Sequence, residues 1–478
     1  MYREALSGRL HRNLLCGVVV YLWCQSGNMC DAEFRNSTEP AIRNVLFIIS
    51  DDLKASVLGC YGDEHCKTPN IDRLASEGLV FERTYCQGVS CAPSRTSLMF
   101  SRYRGQSSVN LGQHFREHGW YSARVGKIYH MRVPGDIIAG TSGKDIVSSW
   151  TEWFNSMGQE AHTPGHYACL NLNIFTTELA GRQSTGMPHR MFVTVQYKGD
   201  GSDQPDFKSA SKAVELLRKH QARKFFLAVG LVRPHYPMVA PQQFFEPYPW
   251  QKMSLPQAAE DDLADIPMAG LAGTRNDKNS IGGYPDNQKR MWAGYYASVA
   301  FMDAQVGRIL DGLQQLGLRD STAIIFTSDH GYHLGEHGFW QKSNLHEDVT
   351  RVPLIISVPG LKPGRSRSLT ELVDIYPTLS ELAGLEIPGE VQGRSLVPIL
   401  KDHSATVRKA ALSLHKGYAL RSSDWAFLSY NDGTTELYDM QADPRQFTNL
   451  AGDPGHAASG KRMRAALRTR LKSAELKQ

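Results

Sequence analysis

Four largely apolar segments of this chain each end in groups suited to acid–base or metal chemistry. Residues 44–50 are followed by Asp51 and Asp52, and residues 122–125 by Gly126, Lys127 and, a turn later, His130. Residues 225–232 are followed by Arg233, Pro234 and His235, and residues 323–328 by Asp329 and His330. Asp51, Asp52 and Asp329 make an oxygen-rich donor set, the kind that holds a hard cation such as calcium or magnesium. A cation there holds and polarises an anionic ester. His330 stands apart, because imidazole is an uncommon calcium ligand. Taken singly, each signal has a plain reading. An Asp-Asp pair is often a helix cap, a lone His is often structural, and Lys127 alone reads as a solvated side chain. The coincidence at four segment ends is what carries information.

Those segments read as buried strands, with residues 354–358 as a further one, all expected to be parallel. Helical patterns lie between them at 69–78, 209–220 and 289–316. Alternating strands and helices predict a doubly wound, mostly parallel α/β sheet, and such sheets bind ligands beyond the carboxyl ends of their strands. Parallel strands therefore bring the four groups to one edge. Two loop-rich stretches, about 132–202 and 237–286, are expected to shape the substrate site. From about Leu369 the pattern changes. Residues 419–430 and 435–438 read as antiparallel strands around an Asn431-Asp432-Gly433 turn. Residues 461–477 read as a basic amphipathic helix with Met463, Leu467 and Leu471 on one face. The expected organisation is a catalytic domain over 41–368 and a smaller C-terminal α+β subdomain over 369–478.

The 478 residues include 41% hydrophobic and 21% charged positions, enough for a sizeable core. A net charge of +5, spread along the chain, does not argue for nucleic acid and is compatible with an anionic substrate. Arg3, Arg9 and Arg12 precede an apolar run over 14–24, so residues 1–30 read as a secretory signal peptide rather than a membrane span. A single Asn36-Ser37-Thr38 sequon favours a bacterial periplasmic or extracellular protein. Of the eight cysteines, Cys16, Cys24 and Cys30 fall in or near the leader. Cys60, Cys66, Cys86, Cys91 and Cys169 remain, and an odd remainder in an exported protein suggests one with another role.

Cys91-Ala92-Pro93-Ser94-Arg95 resembles the C-x-P-S-R signature of type I, formylglycine-dependent sulfatases. The resemblance covers nearly all of the chain beyond the leader. Residues 44–52 are similar to the family's opening strand and metal pair, 68–75 to its first helix, and 126–130 to its Lys and His pair. Residues 328–331, with 334–338 and 340–342, resemble the second metal motif and its following lysine. Glu436-Leu437-Tyr438-Asp439 with Asp443-Pro444 resembles the C-terminal signature. His330, the 233–237 segment and Lys342 are most similar to the iduronate-2-sulfatase branch.

The resemblance implies an alkaline-phosphatase-like fold, sulfate ester hydrolysis and a sulfated carbohydrate substrate. It implies one calcium per chain, held by Asp51, Asp52, Asp329, His330 and the modified Cys91. It further implies that Cys91 is oxidised to formylglycine by a formylglycine-generating or anaerobic sulfatase-maturing enzyme, and it implies the following roles. One hydroxyl of the hydrated aldehyde attacks sulfur, and the alcohol leaves with a proton from His235 or Lys342. His130 deprotonates the second hydroxyl, expelling sulfate. Arg95 and Lys127 orient the diol and offset transition-state charge. One departure stands out. The family continues to a Leu-x-Thr-Gly-Arg stretch and a long loop, whereas residues 96–102 here read TSLMFSR and the connection is short. That segment helps recognition by the maturing enzyme and shapes a pocket wall. Two competing readings remain: a two-metal phosphodiesterase or phosphatase of the same superfamily, using His333 and His337 for zinc, and a non-catalytic carbohydrate-binding relic.

Overall fold

Asn44–Asp51 is buried at every position, and its Val45, Leu46, Phe47, Ile48 and Ile49 feed core clusters on both faces of the sheet. Such two-sided burial demands a central strand. The computed structural model describes residues 42–182, 192–257, 259–271 and 281–477. The segment expected to be a leader, with Arg3, Arg9, Arg12, Cys16, Cys24 and Cys30, and the Asn36 sequon lie outside the described residues. Residues 40–478 gather into one compact unit.

The large sheet has eight strands: β1 (Asn44–Asp51), β2 (Leu79–Tyr85), β3 (Tyr121–Gly126), β4 (Glu152–Phe154), β5 (Phe225–Pro234), β6 (Thr322–Ser328), β7 (Arg351–Ser357) and β8 (Gly364–Glu371). Their spatial order is β8-β2-β7-β6-β1-β5-β3-β4. All run parallel except β7, which is antiparallel to both neighbours. The expectation of a parallel strand at 354–358 is therefore corrected. β6 ends at the active edge and the chain stays there through residue 350, so β7 starts at that edge and must run back. Its uniformly buried pattern carries no information about direction.

Register does the positioning. Ser50 pairs with Ser328 and Asp51 with Pro234, while Gly126 pairs with Gly230. Asp51, Asp329, Lys127 and His235 thus emerge at one level. The Gly126–Gly230 crossing has no room for side chains. A Cβ at Gly126 meets the Gly230 carbonyl at 2.1 Å, and one at Gly230 meets the Lys127 carbonyl at 2.0 Å. Gly126 also has φ +70°, which glycine adopts freely.

Helices Pro69–Ser76, Pro205–His220 and Pro285–Gln315 cover one face of the sheet. Helices Cys91–Phe100 and Ile375–Leu382 cover the other. The loop-rich 132–202 stretch carries part of a small sheet: His166–Cys169 pairs with Ile174–Thr176 and Val193–Tyr197, and the last pairs with Met238–Pro241. Near the C-terminus, Ala411–Leu414, Gly417–Arg421, Trp425–Tyr430 and Thr435–Asp439 form an antiparallel sheet. The single strand expected over 419–430 is two strands, interrupted at Ser422-Ser423-Asp424. Helix Ala457–Ser473 packs Met463, Leu467 and Leu471 on this sheet. A boundary at 368/369 falls inside β8, which belongs to the large sheet. Buried Glu371 at its end accepts from the Leu412 amide at 2.7 Å and pairs with Arg408 and Arg470, tying the C-terminal sheet and helix to it.

Candidate active site

Cys91 opens the Cys91–Phe100 helix and is almost fully buried. Its Sγ lies 3.2 Å from Lys342 Nζ, 3.5 Å from His330 Nε2 and 3.8 Å from Asp52 Oδ1. Burial, with the Asp51 charge, pushes its thiol well above the ordinary range. As a thiol it is protonated and a poor nucleophile, because thiolate is the reactive form.

Asp52 sits at φ +64°, a conformation that Asp tolerates better than most residues. Its backbone is clamped from both sides. The amide donates to Asp329 Oδ1 at 3.2 Å, and the carbonyl accepts from Tyr295 OH at 2.6 Å. Its Oδ1 faces Lys342 and His330, the latter at 3.3 Å. Its Oδ2 is buried without a hydrogen-bond partner and lies 3.8 Å from His235 Nε2. Burial alone would raise both Asp51 and Asp52. Lys127 and Arg95 more than offset this for Asp51, and the charged Lys342 helps to do so for Asp52, so both are held below the ordinary carboxylate range.

The two central histidines turn Nε2 towards the site. His330 Nδ1 lies 2.9 Å from the Gly331 carbonyl, and His235 Nδ1 lies 2.6 Å from the Tyr236 carbonyl. Each carbonyl can only accept, so Nδ1 carries a proton in both rings, while Nε2 of His330 faces Cys91 and Asp52 Oδ1 and Nε2 of His235 faces Asp52 Oδ2. Burial pushes His235 down to about 3 and, with Lys127 beside it, His130 down to about 4. Burial would lower Lys342, but the Asp52 carboxylate holds it well above its ordinary value, so it carries its proton.

Arg95 departs from its expected role. Its Nε donates to Asp329 Oδ2 at 2.8 Å and its Nη2 to Asp51 Oδ1 at 3.1 Å. The remaining donors go to the carbonyls of Lys127, Ile128 and Ser50. With its fork spent on carboxylates and backbone, Arg95 positions Asp51 and Asp329 rather than touching reacting atoms. Lys127 Nζ is likewise bonded to Asp51 Oδ2.

The donor set fits a divalent cation. Asp51, Asp52, Cys91 and His235 offer ligand atoms within 4.8 Å of one another, and so do Cys91, Asp329 and His330. The orphaned Asp52 Oδ2, aimed into this cluster, is a further fit. His333 and His337 do not join it. His333 neighbours Glu336 and Asp348, whose charges Lys54 already pairs, and His337 Nδ1 bonds Asp262 at 3.0 Å. The two-zinc reading therefore lacks its histidines.

Several supporting residues have no sequence motif. Tyr295 lies within a 31-residue helix and reads as core. Asp206 accepts from the Val232 and Arg233 amides at 2.7 and 2.9 Å, fixing the turn that presents His235. Glu160 holds the Arg233 guanidinium. The cysteine-parity expectation is corrected: Cys60, Cys66 and Cys86 form no disulfide among the described residues, so Cys91 is not singled out by pairing of the rest.

A mixed, mostly parallel sheet with candidate metal-ligand and acid–base groups at its carboxyl edge, plus a C-terminal sheet-and-helix subdomain, is the alkaline-phosphatase-like fold. Solved structures agree. A protein solved in complex with its substrate D-glucosamine-2-N,6-O-disulfate matches with TM-score 0.68 and 23% identity, over 91% of this chain and 98% of the other. The phosphonate monoester hydrolase of Agrobacterium radiobacter matches with TM-score 0.74 and 22% identity, over 90% and 96%. Residues 43–385 match the Sulfatase family model, and residues 335–474 match the N-sulphoglucosamine sulphohydrolase C-terminal model. The chain belongs to the sulfatase family, in the iduronate-2-sulfatase-like branch, and is a sulfuric ester hydrolase. It is 35% identical to Homo sapiens iduronate 2-sulfatase over 74% of this chain and 71% of that one. It is 25% identical to the N-acetylglucosamine-6-O-sulfatase of Bacteroides thetaiotaomicron, over 88% and 84%. The family implies a metal ion and a formylglycine.

Proposed function

We propose that the chain removes sulfate from a sulfated carbohydrate, using formylglycine at position 91 and one calcium ion. The observation that carries this reading is the enclosure of Cys91 by Lys342, His330 and Asp52 at one end of a carboxylate cluster. The names of the iduronate and N-acetylglucosamine sulfatases support a sugar substrate.

A hydrated aldehyde at 91 supplies two hydroxyls on one carbon, one to displace the alcohol at sulfur and one whose deprotonation releases sulfate. Calcium, held by Asp51, Asp52, Asp329 and His330, would supply charge neutralisation for the sulfate oxygens. The chain's own residues do the rest. Lys342 carries a proton and faces position 91, which suits it to the leaving oxygen. His235 is neutral with Nε2 turned inward, so it is set to take up a proton and donates only after gaining one. His130, neutral and half-buried, is suited to the base role. Lys127 and Arg95 keep Asp51 ionised and in place. Each acid or base step is worth about 10²–10⁴-fold.

The reading includes export, supported by Arg3, Arg9 and Arg12 ahead of the apolar run over 14–24, and conversion of Cys91 by a maturing enzyme. No helix among the described residues is long and apolar enough to cross a membrane. The test is sulfate release from a panel of sulfated oligosaccharides. The parent releases sulfate from at least one member and Cys91→Ala from none; equal release by both contradicts the reading.

A further inference from the structure

Next to the catalytic cluster, a second cleft of about 470 Å³ opens between the start of the Cys91–Phe100 helix and the turn that follows it. Ala92 and Thr96 form its helical wall, Tyr129 and His130 line it, and Arg104 and Lys144 complete it. The cleft exists because the chain turns back at once after the helix. Ser101 takes φ +51° and Gly105 φ +77°, and the next helix starts at Leu111. This is the segment where the sequence departs from the family pattern, with a short connection in place of a long loop.

Lys144 is held beside His130 by the backbone. Its amide donates to the His130 carbonyl at 2.8 Å. Gly143 permits this approach: it has φ +59°, and a Cβ there would sit 2.5 Å from the same carbonyl. Arg104 stands on the other rim, exposed, with its guanidinium 5.8 Å from the Tyr418 ring centre.

The charge of this cleft is one-sided. No Asp or Glu lines it. Arg102, a third cation on the rim, is engaged by Glu475 at 3.1 Å and by the Glu390 carbonyl at 2.9 Å. Arg104 and Lys144 make no ion pair with a carboxylate among the described residues. By contrast, Lys127 and Lys342 in the catalytic cluster are each bonded to an aspartate. Unpaired cations around a cleft that His130 helps to line attract a ligand carrying a negative charge beyond the group being cleaved.

We propose that this cleft is a subsite for a second anionic group of the substrate, a sulfate or carboxylate on the sugar, held by Arg104 and Lys144 while the scissile sulfate sits at position 91. The inference rests on the reading of the chain as a carbohydrate sulfatase. The two residues bind substrate and select it; neither takes part in bond breaking.

Binding is measured by calorimetry in a Cys91→Ala background, which prevents turnover. The probes are glucosamine 6-sulfate, glucosamine N,6-disulfate and a monosulfated uronate-containing disaccharide. Arg104→Ala with Lys144→Ala weakens at least one doubly anionic probe by about tenfold or more, and leaves the monosulfated sugar within about twofold. Which probe loses affinity tells sulfate from carboxylate. Arg104→Lys with Lys144→Arg retains most of the affinity, because charge is conserved. The proposal is overturned if the alanine pair binds the doubly anionic probes as its parent does, if all three probes weaken alike, or if the parent binds none of the doubly anionic probes better than the monosulfated one. Sulfate release by the unmutated enzyme from the same probes is scored separately. Its absence counts against the sulfatase reading and leaves the binding contrast intact.

Discussion

Lys342 Nζ lies 3.2 Å from Cys91 Sγ, although 251 positions separate the two residues in sequence. A short hairpin makes this contact. His333–Leu334 pairs with Trp340–Gln341, and Lys342 follows directly. The ammonium faces both position 91 and Asp52, where a leaving oxygen would need a proton. Lys342→Ala is expected to lower kcat by about 10²–10⁴-fold while the bound metal content stays unchanged. Steady-state kinetics with metal analysis of the same samples checks this. A variant that loses its metal along with its activity would assign Lys342 a structural role instead.

Arg95 bridges Asp51 and Asp329, and all three are buried. Removing the guanidinium leaves two buried carboxylates short of their partner. Arg95→Ala should therefore destabilise the fold by about 3–5 kcal/mol, the range for breaking a buried ion pair. Urea denaturation in the presence of a chelator reads this without the metal's contribution. A change below about 1 kcal/mol, as for exposed pairs, contradicts the positioning role.

Chelation should remove activity and lower Tm, because an ion bound only by the native state stabilises it by mass action. Calcium is expected to restore both, with one calcium per chain by elemental analysis. Two zinc ions per chain, or recovery with zinc alone, would return the phosphodiesterase reading to the front.

Stability should fall with acid in a window set partly by His114. Burial, with His118 beside it, lowers this imidazole to about 4, and its Nε2 is buried without a partner. The unfolded chain binds that proton near its ordinary value of about 6.5. Between those two values the unfolded state holds more protons, so native stability decreases as pH drops through the window. His114→Gln cannot titrate and should show a shallower loss of Tm from pH 6.5 to 4. Parallel profiles for the two proteins would remove His114 from the effect.

Much of the site was legible because its residues sit where a pattern changes. Asp51, Lys127, His235 and Asp329 each follow an apolar run, and parallel pairing then levels the strand ends. Direction was not legible for β7, since a strand buried on both faces reads the same either way. Strand β2 was missed because Glu82 and Arg83 interrupt its apolar run. The partners of Arg95 were not legible for a different reason. Sequence shows an arginine four residues after Cys91, and only the fold shows that its fork is already filled by Asp51 and Asp329. Tyr295, Asp206 and Glu160 act through backbone and guanidinium contacts formed across the fold, so nothing local marks them.

The central claim concerns position 91 itself. Burial keeps an unmodified thiol protonated there, so the surrounding Lys342, His330 and Asp52 need a different nucleophile to act on. Peptide mass spectrometry of the active protein, produced with its maturing enzyme, measures this directly. The peptide containing residue 91 is expected at the mass in which an aldehyde replaces the CH2–SH side chain, with activity rising in step with that fraction. An intact cysteine at position 91 in fully active protein contradicts it.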